Sequence, residues 1–341
     1  MAKYRVGIIG CGNIFPMHAV SIREIENTEL VAVCDIKEDV ARKRSEEVGC
    51  KYYTDYKEMI EKEDLDVVHI CTPHYLHPPM AIYAANKGIN VFTEKPMSIT
   101  LEDGQAMVEA AKANGVTLGV VFQNHYNAGS VLIKEMLESG ELGNILSAKA
   151  IVTWNRSDEY YSKSDWKGTW DKEGGGVIID QAIHTLDLMR WFVGDEIEYV
   201  DASIGNRGHA KIEVEDVAEG VIKYKSGIIT GFFTMNYYTY DAPVEIEIHC
   251  ENGLVKMIGD EAKVSLNNGR EYIARPNPDE TIEYGNVKSY WGTSHVKQIR
   301  EYYNALDRGV APEIDGEYAL ETQKMICAIY ESGKNRKRII F

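Results

Sequence analysis

The sequence predicts an α/β protein: an N-terminal doubly wound parallel sheet, then an α+β domain built on a large, open, mainly antiparallel sheet. Three observations carry this. Short Val- and Ile-rich runs alternate with helical patterns over the first ~120 residues, the spacing of βαβ units. Beyond them the texture changes to β-rich runs joined by turn signals. A glycine-rich turn also joins the first apolar run to the first helical pattern.

The apolar runs are YRVGII (4–9), LVAVCD (30–35), VVHIC (67–71), NVFT (90–93) and TLGVV (117–121). Helical patterns fill 16–26, 37–48, 56–62, 78–87 and 100–114. Strands this uniformly apolar fit a parallel sheet covered by helices on both faces. A helix over 128–139 stops at Gly140, and a strand over 146–153 follows. The stretch GGGVIIDQAIHTLDLMRWF (174–192) reads as one helix. VEDVAEGVIKY, GIITGFFTMNYY, VEIEIHC and GLVKMIG then read as strands, with hairpin turns at Lys225–Gly227 and Asn252–Gly253. Helices at about 294–308 and 317–332 close the chain. The expected division is therefore 1–123 and 124–341, with no repeat or low-complexity linker. A large sheet with an open face is commonly covered by a partner, so a homodimer or homotetramer through this sheet is expected.

Composition narrows the function classes. Hydrophobic residues are 44% and charged residues 26% of the 341, values that suit a soluble chain with real cores. No apolar run approaches the ~20 residues of a membrane span. The opening MAKYRVGIIGCG reads as a strand rather than a signal peptide. Net charge is −16 and the one basic block is KNRKR (334–338), which argues against a nucleic-acid partner and reads as a solvated edge. The six cysteines form no C-x-x-C pair and no zinc spacing, so no metal site is expected. Cys11, Cys34 and Cys71 lie in or beside apolar runs as small hydrophobes, and a reduced, cytoplasmic setting fits them.

GIIGCGNIF places Gly10-x-Gly12-x-x-Phe15 directly after the first strand and before a helix. In the dinucleotide fingerprint the first glycine makes the tight turn and the second admits pyrophosphate to the backbone. The helix N-terminus then supplies amides and a positive dipole end, with Asn13 and Ile14 in the loop. Phe15 stands where a strict motif has a third glycine. Asp35 ends the second strand about 20 residues beyond Gly12, the spacing of the ribose-binding acid. A carboxylate there accepts from the 2′-hydroxyl and repels a 2′-phosphate, favouring NAD over NADP. CTPHYLH (71–77) and TEKP (93–96) follow later strands. Ligands of such sheets sit beyond the carboxyl ends of the strands, which brings Thr72, Pro73, His77, Glu94 and Lys95 to the nucleotide site.

The glycine loop, CTPHYLH, EKP and the DQAIH helix together resemble the glucose–fructose oxidoreductase/inositol dehydrogenase (Gfo/Idh/MocA) family over nearly the whole chain. The resemblance implies a nicotinamide-binding Rossmann domain followed by an α+β domain whose open sheet mediates oligomers. It also implies sugar or polyol dehydrogenase or reductase activity. Position by position, the family's lysine, aspartate and histidine correspond to Lys95, Asp180 and His184. YYSKSDWKGTW (160–170) resembles a subgroup in which a Trp-Arg pair approaches the cofactor, which would bring Trp166 and Lys167 there alongside Gln123. Here the second residue is lysine, without the planar bidentate contact of arginine.

The chemistry of the DQAIH helix can be read directly. Asp180 and His184, four apart, stack on one face of an α-helix, with Asp187 a further three along. Oxidising a secondary alcohol removes a hydride from carbon and a proton from oxygen. An imidazole, with an ordinary pKa of ~6.5, can hold that proton. His184 is thus expected as acid/base, Lys95 as stabiliser of developing alkoxide, Asp180 as positioner, and Asp187 as structural. Gly174-Gly175-Gly176 would let the chain bend tightly and approach a ligand closely.

A hydroxyl-rich ring is the expected substrate. His125, Tyr126, Asn155, Arg156, Tyr161, Trp170 and Tyr237, with Gln123, Asn124, Tyr160, Trp166 and His295, offer the polar edges and stacking faces that sugar sites use. Arg156 could instead read a carboxylate or phosphate. The leading expectation is an NAD-dependent dehydrogenase or reductase of a sugar, sugar derivative or cyclitol. A redox-neutral glycosidase or lyase using transient oxidation needs the same three residues. A non-catalytic nucleotide-binding regulator would need only the glycine loop and Asp35.

Overall fold

The computed structural model describes residues 3–280, 282 and 294–341. Two compact units emerge: Met1–Gln123 with Glu280–Gln323, and Asn124–Asp279 with Lys324–Phe341. Among the described residues, 294–323, expected in the second domain, group with the first unit in this division.

In chain order the first unit contributes β1 (Tyr4–Ile9), α1 (Phe15–Arg23), β2 (Thr28–Cys34), α2 (Glu38–Val48), β3 (Lys51–Tyr53), α3 (Tyr56–Lys62) and β4 (Val67–Ile70). It continues with α4 (His77–Asn86), β5 (Asn90–Thr93), α5 (Leu101–Asn114) and β6 (Leu118–Val120). Among the described residues the strands form one parallel sheet in the order β3-β2-β1-β4-β5-β6, the doubly wound arrangement expected. β4 and β6 are wholly buried, as strands covered on both faces must be. The three-residue β3 was not foreseen, being too short to show a period.

The second unit begins with α6 (Ala128–Glu138), β7 (Ile145–Thr153) and α7 (Asp158–Ser162). A π-helical turn, Val177–Ala182, runs into α8 (Ile183–Val193). The strands β8 (Ile197–Gly205), β9 (Val217–Tyr224), β10 (Ile229–Met235), β11 (Glu245–Cys250), β12 (Gly253–Ile258), β13 (Glu261–Leu266) and β14 (Glu271–Ala274) follow. Helices α9 (His295–Arg308) and α10 (Gly316–Asn335) and the short β15 (Ile339–Ile340) complete the chain. The second sheet runs β14-β13-β12-β11-β7-β10-β9-β8-β15, antiparallel except where β7 meets β10. The basic run before the terminal strand is an edge, as read: Arg338 lies 3.8 Å over the Tyr199 ring and Ile339 pairs with Val200.

Alternation decides which face of this sheet is covered. Ala148, Ala150 and Val152 of β7, Ile246 and Ile248 of β11 and Val255 and Met257 of β12 point inward and are buried. Val221, Ile229, Phe233, Ile258 and Ile273 alternate outward and are exposed. The hairpin expected at Asn252–Gly253 is shifted by one: Cys250 pairs with Gly253, so the loop is Glu251–Asn252. Gly253 belongs to the strand because a Cβ there would lie 2.6 Å from the Ser265 carbonyl.

α9 packs on the first unit. Tyr302 and Tyr303, both fully buried, join Val6, Ile8, Phe15, Val33 and Phe92 in its core. Gln298 donates to Val120 O (2.8 Å) and accepts from Phe122 N (3.0 Å), closing the edge of β6 with side-chain hydrogen bonds. Among the described residues no helix is long and apolar enough to cross a membrane. None of their His, Cys, Asp and Glu side chains gather in a metal-binding group.

Candidate functional site

The first unit supplies a nucleotide cradle at the point where strand order reverses, between β1 and β4. Gly10 has φ of 98°, and a Cβ on it would sit 2.5 Å from Cys71 O, so glycine is required. Gly12 is exposed, with open space where a Cβ would project, the room a pyrophosphate needs. Asn13 is exposed and Ile14 is the N-cap of α1, which carries Pro at its start; the positive end of a helix here favours an anion. Phe15, in the third-glycine position, is buried with the Arg44 guanidinium 5.3 Å over its ring. Asp35 follows β2, where its Oδ2 accepts from Cys11 N (3.0 Å) and Oδ1 from Lys37 N (2.9 Å). The proposed ribose ligand therefore also braces the glycine loop. These residues fit a dinucleotide.

Two residues assigned to the cofactor are turned inward. His77 is fully buried with Nδ1 2.8 Å from Pro96 O and Nε2 2.8 Å from Thr72 O. It clamps the CTPHYLH turn to the EKP turn and offers no ring nitrogen to a ligand. Glu94 is buried, with Oε1 accepting from His18 Nε2 (2.9 Å) and Oε2 from Lys95 N (3.3 Å). Burial pushes its carboxyl up, but the hydrogen bonds from His18 and His295 outweigh this and hold it well below the usual range. Thr72, Pro73 and Lys95 are half-buried, the Lys95–Pro96 bond is cis, and Gln123 is buried. His295, counted above among possible substrate edges, is buried 3.7 Å from Glu94.

In the second unit the glycine run is explained by the protein itself. A Cβ on Gly175 would lie 1.9 Å from the Tyr330 hydroxyl, and one on Gly176 1.9 Å from Glu215 O. The close approach expected for a ligand is thus to α10 and to the segment before β9. The Glu215 carboxylate accepts from Gly176 N (2.9 Å), Ile178 N (3.0 Å) and Tyr330 O–H (2.9 Å), capturing the free amides that open the π turn. The expected single α-helix is accordingly π-helical through Asp180 and α-helical from Ile183. Asp180 thus lies in the π-helical turn and His184 in the first turn of α8.

Asp180 is half-buried in a cluster of its own unit. Its Oδ2 accepts from Tyr160 O–H (2.5 Å), Gln181 Nε2 (2.5 Å) and Lys167 Nζ (3.1 Å). Lys167 also donates to Tyr160, lies 4.7 Å over the Trp166 ring, and has Glu173 Oε1 at 3.7 Å. Lys167, read as a cofactor residue, is thus the counter-ion of Asp180. Burial first, and the Asp180 charge second, push Glu173 up to about 8, against the pull of Lys167. Burial lifts Glu215 to about 7 despite its donors.

His184 is half-buried in the first turn of α8. Asp187 is fully buried and engaged by His125 Nε2 (2.6 Å), with Arg190 Nη2 at 3.6 Å. His125, whose ring lies 4.1 Å from that of Trp191, is therefore a core residue and not a substrate edge. Tyr161 and Trp170 are corrected in the same way. Tyr161 is buried and its hydroxyl accepts from Asn236 Nδ2 (2.7 Å); the Trp170 indole donates to Glu213 O (2.9 Å). Arg156 is buried between the Trp154 and Tyr160 rings, with Nη1 donating to Asp241 Oδ1 (2.9 Å), so its charge is already compensated. Asn155 is exposed, donates Nδ2 to Tyr238 O (2.5 Å) and forms a bridge with Tyr237; Tyr126 and Tyr237 are half-buried. Sequence reading missed Glu173, Glu215, Tyr330, His18, His69 and Tyr303. The one local signal was an acidic pair, Glu215–Asp216, inside an otherwise alternating strand pattern.

Residues 4–122 match the family model for an oxidoreductase with an NAD-binding Rossmann fold, and residues 131–256 match the GFO/IDH/MocA C-terminal domain. The chain is 27% identical to myo-inositol 2-dehydrogenase of Thermotoga maritima over 92% of its own length and 91% of the relative's. It is 25% identical to D-apiose dehydrogenase of Paraburkholderia graminis over 99% and 89%. The WlbA dehydrogenase of Bordetella pertussis, solved with NADH and UDP-GlcNAcA, superimposes with a TM-score of 0.87 at 30% identity, covering 100% of this chain and 98% of that one.

The buried acids make a prediction. Glu215 titrates near 7 when folded and near 4.5 otherwise, so the folded state holds a proton that the unfolded state loses over that interval. Stability from this group is full below about pH 4.5 and is lost as pH rises through 7. Glu215→Gln has no such loss. Its stability relative to the parent, from urea melts at each pH, should improve by up to ~3 kcal/mol between about pH 4.5 and about pH 8.5. A gap constant with pH would contradict the assignment.

A glycine loop with open space at Gly12, the two family models spanning both halves of the chain, and a relative of 30% identity solved with NADH lead to one conclusion: the chain belongs to the GFO/IDH/MocA family of NAD-dependent oxidoreductases.

Proposed function

We propose that this protein oxidises a secondary alcohol of a sugar, sugar derivative or cyclitol, with Lys95, Asp180 and His184 acting on the substrate. The observation that carries the reading is the treatment of these three side chains. All three are half-buried and so keep some surface open to a ligand, whereas Asp187, His125, Tyr161 and Glu94 are buried. NAD⁺, when bound, would supply the hydride acceptor. His184 takes the hydroxyl proton, and the Lys95 ammonium stabilises negative charge developing on oxygen. Asp180, held by Lys167, Tyr160 and Gln181, accepts a hydrogen bond from the substrate and fixes its orientation.

The named relatives act on inositol and apiose, and one was solved with a nucleotide-linked sugar acid. Their dehydrogenase names support net redox chemistry over transient oxidation with bond cleavage, and catalysis over regulation. The test is NADH absorbance in pools of inositols, aldoses, uronates, glycosides and nucleotide sugars. NADH accumulating well beyond the enzyme concentration supports the reading. A burst stopping near one equivalent favours the redox-neutral alternative.

The roles can be separated from binding. Lys95→Ala and His184→Ala should lower kcat by on the order of 10² or more while NADH affinity, by fluorescence titration, stays within a few-fold. Unslowed turnover would remove either residue from the mechanism. Asp35→Ala should reduce the preference for NADH over NADPH; an unchanged ratio would take Asp35 out of the ribose site. The outward apolar face of the second sheet is read as the contact with a second copy. Phe233→Glu should then lower the mass measured by light scattering, whereas a parent already monomeric would refute that contact.

A further inference from the structure

The first unit contains a set of buried polar groups for which the hydride-transfer chemistry has no evident use. His18 in α1, His69 in β4, Glu94 after β5 and Tyr303 in α9 are buried and in sequence contact: Tyr303 Oη–His69 Nε2 2.9 Å, His69 Nδ1–His18 Nδ1 2.8 Å, and His18 Nε2–Glu94 Oε1 2.9 Å. The His18 and His69 rings meet edge-on at 5.1 Å, and the Phe92 ring packs against both. Each such group costs free energy unless its donors and acceptors are matched.

One assignment of hydrogens matches them all. Tyr303 donates to His69 Nε2, His69 Nδ1–H donates to His18 Nδ1, and His18 Nε2–H donates to the Glu94 carboxylate. Both imidazoles are then neutral and Glu94 is anionic, in keeping with burial lowering the pKa of each histidine. The opposite polarity requires a proton on Glu94 and turns the Tyr303 hydroxyl away from His69. Among the described residues that hydroxyl has His69 as its hydrogen-bond partner. Tyr303 thus fixes the direction of the chain at one end, and the other end is the residue bonded to the Lys95 amide.

We propose that Tyr303, His69 and His18 form a one-way hydrogen-bond chain that keeps Glu94 anionic beside Lys95, making them positioning residues for the catalytic lysine. The step from Glu94 to catalysis rests on the reading of Lys95 given above. Glu94 Oε2 accepts the Lys95 amide, so the charge kept on Glu94 holds the backbone from which the lysine side chain projects. The other titratable groups facing Glu94 are His295 from α9, His77 from α4 and Cys71 after β4. None of the three bridges the Tyr303-to-Glu94 chain.

Nitrogen-15 NMR of the wild-type histidine rings tests the chain without any substrate. His69 should be the Nδ1–H tautomer and His18 the Nε2–H tautomer; the reverse pair, or an imidazolium at either position, overturns the proposal. Tyr303→Phe deletes one hydroxyl and lets the polarity reverse. The Glu94 carboxyl carbon, assigned through Glu94→Gln, should stay ionised in the parent from about pH 8 to about pH 5 and titrate within that range in Tyr303→Phe. With the alcohol returned by the NADH screen, the acid limb of kcat/KM should move up by about half a pH unit or more. A Glu94 signal and an acid limb unmoved by Tyr303→Phe overturn the proposal. If the tautomers and the Glu94 titration follow the chain but Lys95→Ala turns over normally, the chain stands and the role given to Lys95 is what fails.

Discussion

A carboxylate removed from water must be given donors, and in both halves of this molecule those donors come from the segments that carry the proposed chemistry. Glu215 takes the amides of Gly176 and Ile178 and the hydroxyl of Tyr330. Glu94 takes the His18 ring and the Lys95 amide. Each captured amide fixes backbone within four residues of a functional side chain. Such capture is costly to relax, because freeing the amide would leave a buried acceptor with one donor fewer.

The same constraint explains why the helix bearing His184 begins as a π turn. Tyr330 and Glu215 press against Gly175 and Gly176 closely enough to exclude any side chain there. The chain enters the helix from a position set by those contacts, and Ile178 N is directed to Glu215. Asp180 then falls among Tyr160, Lys167 and Gln181, which neutralise its charge within its own unit. An acid already supplied with a cation and a hydroxyl presents a fixed acceptor to a substrate, the pre-organisation that positioning requires.

Much of the fold was legible because it rests on periodicity. Apolar runs such as VVHI mark strands buried on both faces, and EIEIHC alternates as a one-sided strand must. The nucleotide loop was legible because Gly10 and Gly12 answer a local backbone demand. What escaped is non-local. His18, His69, Glu94 and Tyr303 come from four elements and touch only through the sheet order. Residues 294–323 join the first unit through Gln298 and Tyr302, which no nearby pattern announces. Candidate sugar-binding aromatics failed individually for a related reason. Tyr161, Trp170 and His125 each have polar atoms, but internal partners distant in sequence use them.

The most direct measurement of this pinning is amide hydrogen exchange of the peptides covering residues 93–97 and 174–184, at neutral pH and without ligand. Exchange slowed by orders of magnitude relative to an open loop is expected for both, with the 174–184 peptide losing protection in Glu215→Gln. Exchange of either peptide at open-loop rates in the parent would contradict the claim that buried carboxylates hold these segments in place.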